Sequence, residues 1–252
     1  MTNEQRASGD PRRLMELLWG LESRPRRGPK PRFTLEDVIG AAIGIADGEG
    51  LEALSMRRVA ERLGVTAMSL YGYVPGKAEL IDLMVDRAIG EAEMPDDVPG
   101  GWRARLEQVA RASRAVYVRH PWLLQAVTAR SVLGPNIIGK YDHELRAIAD
   151  TGLGPIEMDL VVTMISDYVH GSARSAVEAA QAAQRTGKTD EEWWEEYEPL
   201  LKVVFDAERF PHAAVVGQAA GQEYGSGDPD RSFEFGLRLI LDGIEALVER
   251  AT

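Results

Sequence analysis

Between Ser55 and Lys77 the sequence sets basic, hydroxylic and small side chains around one glycine. Arg57, Arg58 and Arg62 precede Gly64, and Thr66, Ala67, Met68, Ser69, Tyr71, Gly72, Tyr73 and Lys77 follow it. These types suit contact with a polyanion. A guanidinium can engage guanine O6 and N7 together, serine and tyrosine hydroxyls suit phosphate oxygens, and a methionine can pack on a thymine methyl. Four cations against the single acid Glu61 give this stretch a local charge of +3. A second run, Arg24, Arg26, Arg27, Lys30 and Arg32, holds five cations with no acid among them. Taken alone, that run reads equally well as a solvated linker.

Other chemistries find less support. Gly134 to Lys140 has the spacing of a phosphate-binding loop, but Tyr141 stands where magnesium coordination needs Ser or Thr, and no strand precedes it. His120, His143, His170 and His212 are scattered, and His143-Glu144 lacks the second histidine of a zinc-protease helix. Neither a Gly-x-Ser-x-Gly elbow nor a dinucleotide fingerprint occurs. With no cysteine, disulfides, thiolate zinc sites and cysteine nucleophiles are all removed. The expectation is no catalytic residue, no metal and no cofactor. The six acids of Asp190 to Glu198, beside Trp193 and Trp194, read as a solvated face.

The elements that must position these groups are helices. Leu14, Leu17, Leu18 and Leu21 allow a short one, after which Pro25, Gly28, Pro29 and Pro31 favour an extended arm. Thr34 is a plausible N-cap, with Asp37 three residues on, before the stripe Leu35, Val38, Ile39, Ala42, Ile43 and Ala46. Ser55 can cap a second helix with core face Met56, Val59, Ala60 and Leu63, ended by Gly64. Thr66 can cap a third, with Leu70 and Val74 inward and the other side chains, Tyr73 included, on the outer side. A fourth follows Pro75-Gly76. Beyond the boundary at Pro95 to Gly101, helices are expected over Trp102 to Val118, Pro135 to Ala149 and Pro155 to Arg185. Gly217 to Pro229 reads as a mobile glycine-rich loop before a last helix from Asp230. Strand alternation is scarce, so the class is all-α: an N-terminal three-helix helix-turn-helix domain plus a larger helical domain. The divisions are an arm over 1–32, a head over 33–94 and a body over 95–252.

The net charge of −11 argues against nucleic acid at first sight, but it is unevenly spread. Residues 1–94 carry 13 basic and 15 acidic side chains, residues 95–252 carry 16 and 25. A local basic strip still attracts phosphate, because screening acts over only about 8 Å at physiological salt. No run is long and apolar enough for a membrane span and no secretory leader is visible, so the expected location is the cytoplasm.

Two helices joined by Leu63-Gly64-Val65, locked by Val59, Leu63, Val65 and Leu70, have the pattern of a helix-turn-helix, a hairpin that purely structural cores also use. Phe33 to Glu91 resembles the DNA-binding domain of the TetR family of bacterial regulators. The resemblance rests on Ala53-Leu54-Ser55-Met56-Arg57-Arg58-Val59-Ala60, Leu63-Gly64-Val65, and Ser69-Leu70-Tyr71-Gly72-Tyr73-Val74 with Lys77. The ending Phe233-Glu234-Phe235-Gly236-Leu237 through Leu247 resembles the subgroup with a tetracycline-repressor-like C-terminal half. It implies that Ala67, Met68, Ser69, Tyr71 and Tyr73, in a segment opened by Thr66, meet bases or phosphates, that Arg57 reaches the DNA edge and that Lys77 binds a backbone phosphate. Ala67 and Gly72 stand where larger side chains would read bases, which leaves more to DNA shape and to an arm of Arg26, Arg27, Lys30 and Arg32 along the backbone or in a minor groove.

The implied partners are double-stranded operator DNA, a second copy of the chain and an unknown small-molecule effector, with no membrane. The implied function is a regulator, in the first place a repressor released by its effector. A regulator without an effector, an activator, and an all-α enzyme that kept the hairpin are the alternatives. The last helix is the candidate dimer interface, through Phe233, Gly236, Leu237, Ile240, Gly243, Ile244 and Leu247, against the small-residue surface that holds Ala176 and Ala180, the alternative being that both helices are buried within one chain. Candidate effector-lining residues are Tyr117, Trp122, Tyr141, Met164, Tyr168, His170, Trp193 and Trp194, each of which also reads, and more readily, as ordinary core. Whether a ligand binds through a metal is left open.

Overall fold

A computed structural model describes residues 10–21, 33–127, 132–225 and 227–251, and among them it is helical with no strand. The arm residues Arg26, Arg27, Lys30 and Arg32 lie outside the described residues.

The first helices are bounded by caps legible in the sequence. Asp10 accepts the Arg12 N–H ahead of α1 (Pro11–Leu18). Thr34 and Asp37 form a reciprocal capping box on α2 (Leu35–Glu49). Ser55 Oγ accepts the Arg58 N–H at the start of α3 (Met56–Leu63). Gly64 then closes α3 with φ at 66°, a left-handed conformation that a Cβ would strain. This reversal leads into α4 (Ala67–Leu70) and then α5 (Lys77–Ile89).

The third helix is shorter than its spacing predicts. Only one turn is regular, and the chain continues as a turn through Tyr73. Thr66 does not cap a backbone N–H; its hydroxyl pairs with Ser69 Oγ at 2.8 Å. Gly72 weakens the helix, and Pro75 excludes helical backbone at Val74. Even so, Val38, Ala42, Val59, Leu70, Val74, Leu80 and Met84 are fully buried together, which sets the steep crossing of α3 and α4.

The body is built from α6 (Gly101–Arg119), α8 (Pro135–Ala147), α9 (Pro155–Thr186) and α12 (Pro229–Ala251), with the short α7 (Leu123–Ala126) between α6 and α8. Leu106, Ile148, Ile165, Val169, Leu237, Leu241 and Ile244 form its core. A ladder of ion pairs joins α6 to α12: Arg103 to Asp242 and Glu245, Arg111 to Glu234, and Arg114 to Asp230.

Two polar joints tie head to body. Asp86 of α5, 4% exposed, accepts the backbone N–H groups of Asn136 and Ile137 in the first turn of α8. The approach is so close that a Cβ at Gly134 would lie 2.0 Å from the Asp86 carboxylate. At the second joint, the buried His120 ring lies between Asp47 Oδ1 at 2.7 Å and Glu91 Oε2 at 3.1 Å. Trp122 donates its indole N–H to the same Asp47 oxygen at 2.8 Å and packs with the head core. Trp122 therefore belongs to this joint, where both its apolar ring and its N–H are used.

Three further expectations change. Gly217 to Pro229 is not simply a loop, since α11 (Pro211–Tyr224) runs through Gly217 and Gly221. Pro211 at its first turn and Ala213, Ala214, Ala219 and Ala220 outweigh two glycines. Trp193 and Trp194 stay on α10 (Asp190–Val204), where Trp193 stacks on Tyr197 at 4.5 Å. Phe233, Leu237 and Ile244, expected between subunits, are buried within the chain itself, and Ile240 and Leu247 pack half-buried beside them. Gly236 permits a close approach, but to Tyr168 of the same chain, whose hydroxyl a Cβ would meet at 2.3 Å.

Candidate nucleic-acid interface and effector cavity

Because Val59, Leu70 and Val74 are consumed by the core, the opposite side of α3 and α4 is left to solvent. Met68 is 78% exposed and Tyr71 50%, far more than large apolar side chains with a packing duty would be. Arg57, Thr66, Ser69 and Lys77 are exposed beside them, and Ala67 is half-buried. Arg57 donates its Nε–H to Glu61 at 2.8 Å. Arg58 is paired with Glu49, and the Arg62 guanidinium lies over Gly44 of α2.

Tyr73 departs from its expected outward position. Its ring packs 4.5 Å from Phe33, and its hydroxyl donates to the Phe33 carbonyl at 3.1 Å. The cause is the end of α4 after one turn, which rotates Tyr73 back towards the start of α2. Of the described candidate contact residues, those exposed are thus Arg57, Thr66, Met68, Ser69, Tyr71 and Lys77.

Behind this surface, α5 continues into a cavity of about 270 Å³ shared by five helices. Val85 and Ile89 of α5, Ala126 of α7, Val127, Val132, Ile137 and Val162 form an apolar wall. Tyr117, Lys140, Tyr141, Glu144, Thr163, Ser166 and Asp167 supply the polar one. Lys140 and Glu144 form an ion pair in which both side chains are largely buried. Burial, followed by the charge of Glu144, pushes the Tyr117 phenol up to about 12. Tyr141 donates to Asp159 at 2.7 Å, which raises its phenol as well.

Of the residues expected to line a pocket, the structure brings Tyr117 and Tyr141 to this cavity. His170 lies one layer back, edge-on to Tyr117 at 5.4 Å, and burial lowers its imidazole. Tyr168 donates to the Ser232 and Phe233 carbonyls and lines a shallower surface groove between α9 and α12. Met164 is exposed on α9. That groove and a neighbouring one of about 750 Å³ are larger and also carry apolar side chains, Phe233 in both and Ala115 and Val118 in the second. The small residues Ala176 and Ala179 line the latter, and Ala180 and Gly243 are exposed on their helices.

Residues 38–84 match the family model of the tetR family of bacterial regulatory proteins, and residues 94–248 match that of the tetracyclin repressor-like C-terminal domain. The chain belongs to the TetR family. It is accordingly a transcriptional regulator. Among TetR-family relatives, the transcriptional repressor DrrR1 of Streptomyces coeruleorubidus is 48% identical over 249 residues, 98% of this chain and 90% of that one. The class C tetracycline repressor of Escherichia coli is 27% identical over 84% of this chain and 90% of its own. Apo ActR from Streptomyces coelicolor superposes with a TM-score of 0.73 at 29% identity, covering 89% of this chain and 100% of that one. ActR bound to actinorhodin gives 0.72 at 29% identity, over 85% and 96%. No helix among the described residues is long and apolar enough to cross a membrane.

The sequence reading missed Lys140, Glu144, Thr163, Ser166 and Asp167. A signal was present: Lys140, Tyr141 and Glu144 share one face of α8, and Thr163, Ser166 and Asp167 share one face of α9, at helical spacing. Without knowing that the two faces meet, nothing separates them from solvated surface.

Proposed function

We propose that the chain is a homodimeric repressor that holds its operator through Met68, Ser69, Tyr71 and Lys77 and lets go when a small molecule fills the α5–α9 cavity. One observation carries this reading. Lys77 opens α5 at the exposed surface, and Val85 and Ile89 of the same helix wall the cavity. A ligand that pushes on Val85 and Ile89 shifts a rigid rod whose other end sits at the DNA face. Asp86, one residue along, ties that rod to α8. The ligand then selects between two dimer shapes in proportion to its preference for one of them.

Dimerisation follows from the size of the site, since one helix-turn-helix reads few base pairs and two half-sites lie about 34–36 Å apart. Support comes from the outer faces of the last and longest helices, where Phe235, Leu239, Ile156 and Leu160 are more than half exposed. This outer stripe replaces Phe233, Leu237 and Ile244 as the proposed interface. The proposed division is a basic arm over 1–32, a DNA-binding head over 33–94 and an effector and dimer body over 95–252, acting in the bacterial cytoplasm. The relatives' repression and ActR's complex with actinorhodin support the same mode of action.

The test is a footprint with the full-length protein on DNA upstream of its own gene, followed by a compound screen for release. Steeply salt-dependent protection of a two-fold site, lifted by a compound, is expected. Equal binding to random duplex at every salt concentration overturns the reading.

A further inference from the structure

We propose that the molecule filling the α5–α9 cavity is an amphipathic amine, with its apolar body against α5 and α7 and its ammonium facing Glu144 and Asp167. The inference deepens the regulatory reading above and rests on its choice of cavity. The walls are divided by character: the α5 and α7 side is aliphatic, and every ionisable lining group belongs to α6, α8 or α9. A ligand that satisfies both sides must be apolar along one edge and polar along the other.

Charge decides which polar group it carries. Among the described lining residues there are two carboxylates, Glu144 and Asp167, against one ammonium, Lys140. Lys140 is already bound to Glu144, so no unshared cation faces the cavity from the described residues. A buried ion pair is a poor device for stability, since the loss of hydration of both partners offsets most of their attraction. In a cavity wall it is instead a ready exchange site, where an incoming ammonium can take up the carboxylate. Residues 95–252 carry 25 acids against 16 bases, so the approach to the cavity also favours a cation.

Three probes of one shape and different charge test this: naphthalenemethylamine, naphthalenemethanol and naphthoate, titrated calorimetrically into the full-length protein at neutral pH. The amine is expected to bind about tenfold more tightly than the alcohol, and the carboxylate more weakly than either. Asp167→Asn and Glu144→Gln should each shrink the preference for the amine and leave the alcohol unchanged. Because Glu144 is buried and its variant could disturb folding, the exposed Asp167 provides the second, independent reading. Equal binding of amine and alcohol, tightest binding of the carboxylate, or no amine binding at millimolar concentration overturns the proposal. Operator affinity without probe, measured alongside, isolates the regulatory reading. Amine preference without operator binding would remove the regulator and keep the ligand class, and the reverse pattern would do the opposite.

Discussion

The head and the body of this molecule make their functional surfaces in opposite ways. In the head, the proposed DNA-facing set from Arg57 to Lys77 is what remains of one continuous motif once Val59, Leu70 and Val74 have gone to the core. The cavity instead takes side chains from five helices, α5 of the head and α6 to α9 of the body, spread between Val85 and Asp167, and its chemistry exists only when they meet. A surface of leftovers tolerates substitution without loss of fold. A joint or cavity made by convergence does not, and this difference ranks the effects expected of mutation.

The largest effect is expected where head and body converge. Trp122→Ala empties a fully buried site and removes a donor from Asp47, for a loss of about 3–5 kcal/mol measured by denaturant unfolding. Trp122→Phe keeps most of the volume and loses only the N–H, at a cost of about 1 kcal/mol. A small loss from the alanine variant would mean that the Asp47 joint is not part of the head core. Next comes the outer stripe of the body. Phe235→Asp combined with Leu239→Asp places two charges on the proposed interface and should weaken the dimer at least about a hundredfold, or about 2.7 kcal/mol, in analytical ultracentrifugation. Unfolding of the same variant should change little, because both side chains are more than half exposed within the chain. An unaltered dimer would move the interface elsewhere.

The cavity gives a prediction that depends on pH. The Tyr117 phenol sits at about 12 in the folded chain, mainly through burial and then through Glu144, against an ordinary value near 10. Its contribution to stability is complete below pH 10. Between pH 10 and 12 the unfolded chain loses the phenolic proton and the folded chain keeps it, so stability falls as pH rises. Two units correspond to about 2–3 kcal/mol, a loss that Tyr117→Phe should abolish when unfolding free energies are compared at the two ends of that range. Identical slopes for both proteins would place Tyr117 in solvent.

The head was legible because its code is local. A capping box at Thr34 and Asp37, a serine cap at Ser55 and a left-handed glycine at Gly64 fix three boundaries within a short span, and the apolar spacing fixes which side is left over. Tyr73 was misplaced because α4 stops after one turn, which spacing alone does not reveal when the stop is set by Gly72 and by Pro75 acting on Val74. In the body, helix positions followed from prolines and caps, but partners did not. Phe233 and Phe235 are two residues apart on one amphipathic helix, and the packing of α9 buries one and leaves the other exposed. Trp122 looked like a pocket residue because its hydrogen-bond partner, Asp47, lies 75 positions earlier in the chain.

The smallest expected effect is the sharpest test of the contrast. Lys77 is exposed at the start of α5 and forms part of no buried cluster. Lys77→Ala should therefore leave unfolding within about 0.5 kcal/mol of the parent. If each copy in the dimer neutralises one phosphate, the slope of log affinity against log salt falls by about 0.9 per copy, so by nearly two for the pair. The loss should be the same on any operator variant, because a phosphate contact positions the protein and carries no sequence information. Arg103→Ala removes a cation of the same sign from the body, where it is committed to Asp242 and Glu245. It should weaken the hold of α6 on α12 and leave the salt slope alone. If Arg103→Ala changed the slope as much as Lys77→Ala, the salt dependence would report only overall charge, and the head would lose its claim to the phosphates.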